Sequence, residues 1–194
     1  MSRYLKCGDK LFALNPKVAT SSFARAIIAR WHPEIEQLIT TAAYPEGQSA
    51  DTGQWQLMIP YRTRPVGEVV CLVRDPVERF RSAMAQVNIT DVDATLDELA
   101  NETGNHPEYR PVRGRRLLSE DVHFKPQARF GGEPIRYFRF PDQLEGAATA
   151  LDLELPLPAI NEATGVKPTL TPEQEQRVRE WYAEDQQIWE SVNV

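Results

Sequence analysis

Lys10 to Trp31, KLFALNPKVATSSFARAIIARW, is the stretch on which the reading of the fold turns. Leu11, Phe12, Ala13 and Leu14 make a short apolar run of the kind a fully buried parallel strand uses, although length alone leaves a buried helical turn open. Asn15-Pro16 stops it. Downstream, Phe23, Ile27 and Trp31 recur at i, i+4 and i+8 with Ala24 and Ile28 beside them, which predicts the apolar face of an amphipathic helix. Between strand and helix lies Lys17-Val18-Ala19-Thr20-Ser21-Ser22, a loop of small residues feeding a helix N-terminus.

Such a start leaves backbone N–H groups unpaired, adds the positive end of the helix dipole, and here supplies hydroxyls and a lysine, so it reads as an anion site. The plainer reading makes Thr20, Ser21 and Ser22 ordinary N-cap residues and Lys17 a solvated charge. A triphosphate loop of the G-x-x-x-x-G-K-[ST] type is absent, because the lysine precedes the hydroxyls instead of following a second glycine. A phosphate therefore fits better than ATP with magnesium.

Glu68 to Val73 is a second apolar, β-branched run that Arg74 closes. Asp75-Pro76-Val77-Glu78 reads as N-cap, N1 proline and N3 carboxylate, a capping-box arrangement. Val77, Phe80, Met84 and Val87 follow at helical spacing. At about 100° per residue, Ser82 falls opposite that stripe and is expected to be free for a ligand. Arg74 has two readings: a fork for phosphate at the C-terminal end of a parallel strand, or a structural pair with Asp75 or Glu78.

These residues carry a resemblance. PKVATSSF resembles the 5′-phosphosulfate loop of sulfotransferases that use 3′-phosphoadenosine 5′-phosphosulfate (PAPS), a loop written P-K-x-G-T-[ST]. VVCLVRDPVERFRS, Val69 to Ser82, resembles that family's 3′-phosphate motif. HFKPQ, from His123, and LTPEQEQRVREWYAED, near the C-terminus, resemble the carbohydrate branch, so the likeness spans nearly the whole chain.

The resemblance implies an α/β chain with a three-layer P-loop-like fold, its short, mostly parallel central sheet flanked by helices. It implies PAPS as donor, no metal, and an acceptor hydroxyl on a glycan or small molecule. Lys17, Val18, Ala19, Thr20, Ser21 and Ser22 would hold the 5′ end, and Arg74 and Ser82 the 3′-phosphate. Lys17 would also be catalytic, with His123 as candidate base, although a residue between Pro33 and Tyr61 is an alternative. The chain departs from the family at Ala19, where glycine is usual; an alanine fits only if its φ is negative. Competing readings are a P-loop kinase-like phosphotransferase and a non-catalytic relative that only binds a ligand.

A chain of 194 residues, 41% apolar and 26% charged, is expected to form one domain, 1–194, with one core. Its net charge of −6 argues against general nucleic-acid binding, which draws on a basic field, so any polyanion must meet a local cluster. Cys7 and Cys71 are too few for a disulfide framework and read as reduced thiols. No apolar run approaches membrane-spanning length and the N-terminus lacks a secretory pattern; since animal carbohydrate sulfotransferases typically carry an N-terminal membrane helix, the resemblance then implies a cytoplasmic enzyme or an excised catalytic domain.

The remaining chain adds expectations. Tyr4, Leu5 and Cys7 can form an extra strand turned by Gly8-Asp9. Helices are expected over Glu34 to Ala42, Thr90 to Thr103 and Pro141 to Leu151, and a loop over Tyr44 to Gly53. Arg110, Arg113, Arg115 and Arg116 make a local positive cluster that is either a solvated loop or a grip on phosphates. Gly131 to Pro134 turns into a strand over Ile135 to Phe140. Thr171-Pro172-Glu173-Gln174 opens one final helix with a capping box, and Val178, Trp181, Tyr182, Ile188 and Trp189 are expected to pack it on the sheet. Asp185 falls on the same side, so a structural ion pair with an arginine is predicted. No cluster of metal-ligand spacing is present.

Overall fold

Gly8, at φ 64°, turns Tyr4–Cys7 (β1) back on Lys10–Ala13 (β2) as an antiparallel pair, the extra strand the sequence suggests. The structure, a computed structural model, describes residues 4–15, 17–34, 67–109, 117–130, 135–158 and 165–193. The helix expected beyond Glu34, the Tyr44 to Gly53 loop, the Arg110 to Arg116 cluster, the Gly131 to Pro134 turn and the alternative base region after Glu34 lie outside the described residues.

Val69–Arg74 (β3) runs parallel to β2, with Leu11 opposite Val69 and Phe12 opposite Val70. Ile135–Phe140 (β4) runs parallel to β3, giving a four-stranded mixed sheet in the order β1-β2-β3-β4. The described helices are Thr20–Trp31 (α1), Pro76–Val87 (α2), Val92–Asn101 (α3), Leu144–Ala150 (α4), Pro172–Trp181 (α5) and Ala183–Ser191 (α6), so the chain is α/β.

Strand alternation decides which helix covers which face. Leu5, Phe12, Val70, Leu72 and Phe138 point to one side and meet Phe23, Ile27 and Ile28 of α1 and Ala147 and Ala148 of α4. Phe12 stacks on Phe23 with centroids 5.1 Å apart. Each of those large α1 side chains is fully buried and contributes about 1.5–3 kcal/mol. Tyr4, Leu11, Val69, Cys71 and Val73 point to the other side and meet Ile188 and Trp189 of α6. β3 is therefore apolar on both faces, which is why its sequence reads as an unbroken run.

A third apolar cluster joins α2, α3 and α5 through Val77, Phe80, Met84, Leu96, Leu99, Val178 and Tyr182. It corrects the expectation of one final helix lying on the sheet. The helix breaks at Tyr182 (φ −103°, ψ 36°), because Val178 and Tyr182 belong to this third cluster and only Ile188 and Trp189 reach the sheet. Tyr182 is held at the break by its hydroxyl, which donates to the Phe124 carbonyl at 2.6 Å.

The buried Asp185 carboxylate accepts from the backbone N–H groups of Gln127 (2.7 Å) and Ala128 (2.9 Å), opening the short turn Gln127–Phe130, and the positive charge of the buried Arg79 also acts on it. Burial raises its pKa, and those two N–H groups oppose the rise. Cys7 and Cys71 are free and buried, and burial pushes both thiols up to about 12. No described helix is long and apolar enough to cross a membrane.

Candidate functional site

Because β2 and β3 are parallel neighbours, their C-terminal ends reach the same edge of the sheet, and each hands off to a helix there. The loop after β2 carries Lys17, and β3 ends on Arg74. The two meet: Arg74 Nη1 donates to the Lys17 carbonyl at 3.2 Å. Buried side chains brace the corner. Asn15 Nδ2 donates to the Leu72 carbonyl (2.9 Å) and to Gln127 Oε1 (3.2 Å), while Gln127 accepts from Arg74 N–H (2.8 Å) and donates to the Arg74 carbonyl (2.7 Å).

Two side chains orient Arg74. Its guanidinium lies over the Phe140 ring at 5.1 Å, reaches Glu78 Oε2 at 3.6 Å and keeps 15% of its side chain exposed. Of the two sequence readings of Arg74, the structural pair with Glu78 is present.

Lys17 sends its ammonium across to Gln86 Oε1 at 2.9 Å. Its pKa falls to about 8, first because the amine is partly buried and then because Arg74, Arg79 and Lys167 repel its charge. A lysine held among three other cations is electrostatically costly.

The loop itself is strained. Lys17 has φ 69° and Ala19 has φ 58°, both left-handed. The negative φ on which a comfortable alanine depends is absent at Ala19, the N-cap of α1. It caps nothing with its side chain. Thr20, Ser21 and Ser22 thus begin the helix rather than cap it; the Thr20 hydroxyl donates back to the Asn15 carbonyl and closes the loop. Val18 is fully buried in the core, and Ser22 is buried as well.

Ser82 is not free as its helical angle suggests: it is 4% exposed. The face of α2 opposite the core stripe is roofed by residues 165–168. A Cβ on Gly165 would stand 2.2 Å from the Ala85 carbonyl oxygen, Lys167 Nζ lies 3.6 Å from Glu78, and Arg81 Nε donates to the Pro168 carbonyl at 2.8 Å. Residues 78, 81, 82 and 85 share that face. Ser82 therefore sits beneath the roof, one turn before the Gln86 that receives Lys17.

His123 has partners of its own. Its Nδ1 lies 2.7 Å from Asp121 Oδ1, its N–H donates to the same oxygen at 2.9 Å, and the Tyr109 hydroxyl donates to Asp121 Oδ2 at 3.0 Å. Burial opposes ionisation of Asp121, but those donors outweigh it and hold the carboxyl below its ordinary range. An ionised carboxylate only accepts, so Nδ1 carries a proton and donates it to Asp121. The described contacts join His123 to Arg74 through the chain: Lys125 O takes Arg79 Nη2 at 2.6 Å, and Gln127 clasps Arg74.

Sequence reasoning passed over Asn15, Gln86, Gln127, Arg79 and Lys167, whose roles depend on partners far along the chain. Asp121 carried a local signal, a carboxylate two residues before a histidine. Two clefts lie elsewhere, by β4: one of about 410 Å³ lined by Arg136, Tyr137 and Val192, another of about 670 Å³ lined by Leu144, Leu155 and Leu157. Comparisons with protein-family models, curated proteins and solved structures return no match to the chain.

Proposed function

We propose that this chain is a cytoplasmic sulfotransferase with a P-loop-like, three-layer architecture, moving a sulfuryl group from PAPS to an acceptor hydroxyl on a carbohydrate. The observation that carries the reading is the Arg74 bond to the Lys17 carbonyl, which makes one cationic corner of two strand ends. A donor with phosphates at both ends of one adenosine needs such a pair of neighbouring cationic turns.

In this reading the acceptor oxygen bonds to sulfur while the bond from sulfur to the 5′-phosphate oxygen breaks, leaving the electron pair on the phosphate. Lys17 stabilises that charge, as positioned cations do in phosphoryl transfer. Arg74 binds the 3′-phosphate that ATP lacks. His123 takes the acceptor proton on Nε2 while Asp121 holds Nδ1–H.

Thermal shift separates this from a kinase-like phosphotransferase. At one hundred times its Kd, adenosine 3′,5′-bisphosphate adds about 2.7 kcal/mol, or roughly 5–10 °C for a chain of this size. ATP with magnesium is expected to give a smaller shift. Stabilisation by ATP with magnesium and none by the bisphosphate would overturn the assignment.

A further inference from the structure

The capping-box signature occurs twice, and its third-position side chain behaves differently in the two places. At α5 the box closes: Thr171 Oγ1 accepts from Gln174 N–H at 3.2 Å, and Gln174 Oε1 accepts from Thr171 N–H at 3.0 Å. At α2 only half is used. Asp75 Oδ1 accepts from Glu78 N–H at 3.0 Å, while the Glu78 carboxylate turns to cations. Its Oε1 lies 2.6 Å from Arg81 Nη1, and its Oε2 lies 3.6 Å from both Arg74 Nη2 and Lys167 Nζ.

One carboxylate therefore serves three cations at the mouth of the Lys17–Arg74 corner. Asp75, the next carboxylate along, is spoken for by the α2 cap and by Arg179 at 3.3 Å. The Glu78 side chain is 40% exposed, so it has room to swing aside, and its short contact with Arg81 gives it a place to stay.

We propose that Glu78 is the resident counter-ion of this site and sets its selectivity. An incoming anion must displace it from Arg74 and Lys167, and Glu78 then remains on Arg81. A singly charged anion gains little by replacing one carboxylate with another negative charge. A phosphate dianion gains, and so does a ligand that reaches Lys17 as well. Lys167, on the segment that roofs α2, is by the same argument a ligand-binding residue. The inference deepens the reading above and rests on the anion site that reading uses.

The test is calorimetric titration of the wild type and Glu78→Gln with inorganic pyrophosphate and with adenosine 3′,5′-bisphosphate. Glu78→Gln keeps the shape and removes one competing charge. Binding of both probes is expected to tighten by about tenfold at low ionic strength, and the gain is expected to shrink as salt screens the site. Glu78→Asp draws the charge back by one methylene and is expected to move affinity the same way by less, which serves if the glutamine variant folds poorly. Unchanged or weaker binding in a folded variant overturns the proposal. If the bisphosphate binds the wild type and Glu78→Gln gains nothing, the counter-ion role falls and the donor assignment stands. If pyrophosphate tightens in the variant while the bisphosphate binds neither protein, the counter-ion role stands and the donor assignment falls. Binding of neither probe to either protein removes both.

Discussion

The two strand-to-helix corners at the common edge of the sheet are built on opposite principles. At α2, Asp75 caps the helix through its side chain, Pro76 stands where a missing N–H costs nothing, and Glu78 adds negative charge to the first turn. At α1, an alanine in the left-handed region occupies the cap, Lys17 shares that unfavourable conformation, no acidic residue sits in the first turn, and the buried Asn15 Oδ1 has no partner among the described residues. One corner is finished by its own side chains. The other stores strain and has no side chain of its own to close the helix start. The difference teaches that a helix start of small and hydroxylated residues is not read by composition alone; what matters is whether a side chain closes it.

The largest expected effect comes from breaking the finished corner. Asp75→Ala removes the acceptor of Glu78 N–H and the partner of Arg179, and is expected to cost about 1–2 kcal/mol by urea denaturation. Nearly all of that belongs to the cap, because the Arg179 pair is half-exposed and such pairs contribute little. The comparable truncation at α1 is already present in the native chain, since Ala19 has nothing to remove. A loss well under 0.5 kcal/mol for Asp75→Ala would mean that the two corners differ less than their geometry says.

A smaller effect of opposite sign is expected at the strained corner. Ala19→Gly relieves a left-handed alanine at an N-cap, where glycine is also tolerated, and is expected to stabilise the chain by about 1 kcal/mol. The gain is a net figure, because glycine also makes the unfolded chain more flexible. A rise in Tm of roughly 2–4 °C would report it. A destabilised Ala19→Gly would show that the φ of 58° is not where this corner stores its strain.

Much of this contrast was legible from local pattern. The apolar runs at Leu11 and Val69 and the helical stripes behind them gave both strand–loop–helix units, and the parallel-strand rule then put Lys17 and Arg74 at one edge. What escaped depends on chain that returns from a distance. Ser82 is roofed by residues more than eighty positions later, so a helical wheel sees an open face where the fold has a covered one. Glu78 satisfies the capping-box pattern, yet cations from β3, α2 and the 165–168 segment outbid the backbone for its carboxylate. The break at Tyr182 arises because its hydroxyl and the Asp185 carboxylate are drawn to the 124–128 segment, and neither attraction leaves a mark on the helical period. The conformation of Ala19 is likewise a result of closure between Asn15 and Thr20.

Lys17 offers the smallest effect on stability and the sharpest test of what the strained corner is for. In the folded chain its pKa is lowered from 10.5 to about 8 by partial burial and by Arg74, Arg79 and Lys167. Between those two values the unfolded chain holds the proton that the folded chain has released, so wild-type stability rises with pH through this window. Below about 8 both states are protonated, and the folded state bears the full cost of the charge. Lys17→Met removes the titration and is expected to be more stable than wild type at pH 7 by somewhat under 1 kcal/mol, after allowing for solvent screening and the lost bond to Gln86. That advantage should fade between pH 8 and pH 10.5. Saturating adenosine 3′,5′-bisphosphate should reverse the ranking at pH 7, because only the wild type can turn the crowded charge into ligand affinity. If the methionine variant is the less stable protein without ligand and binds the bisphosphate as well as wild type, Lys17 is an ordinary structural lysine held in place by Gln86.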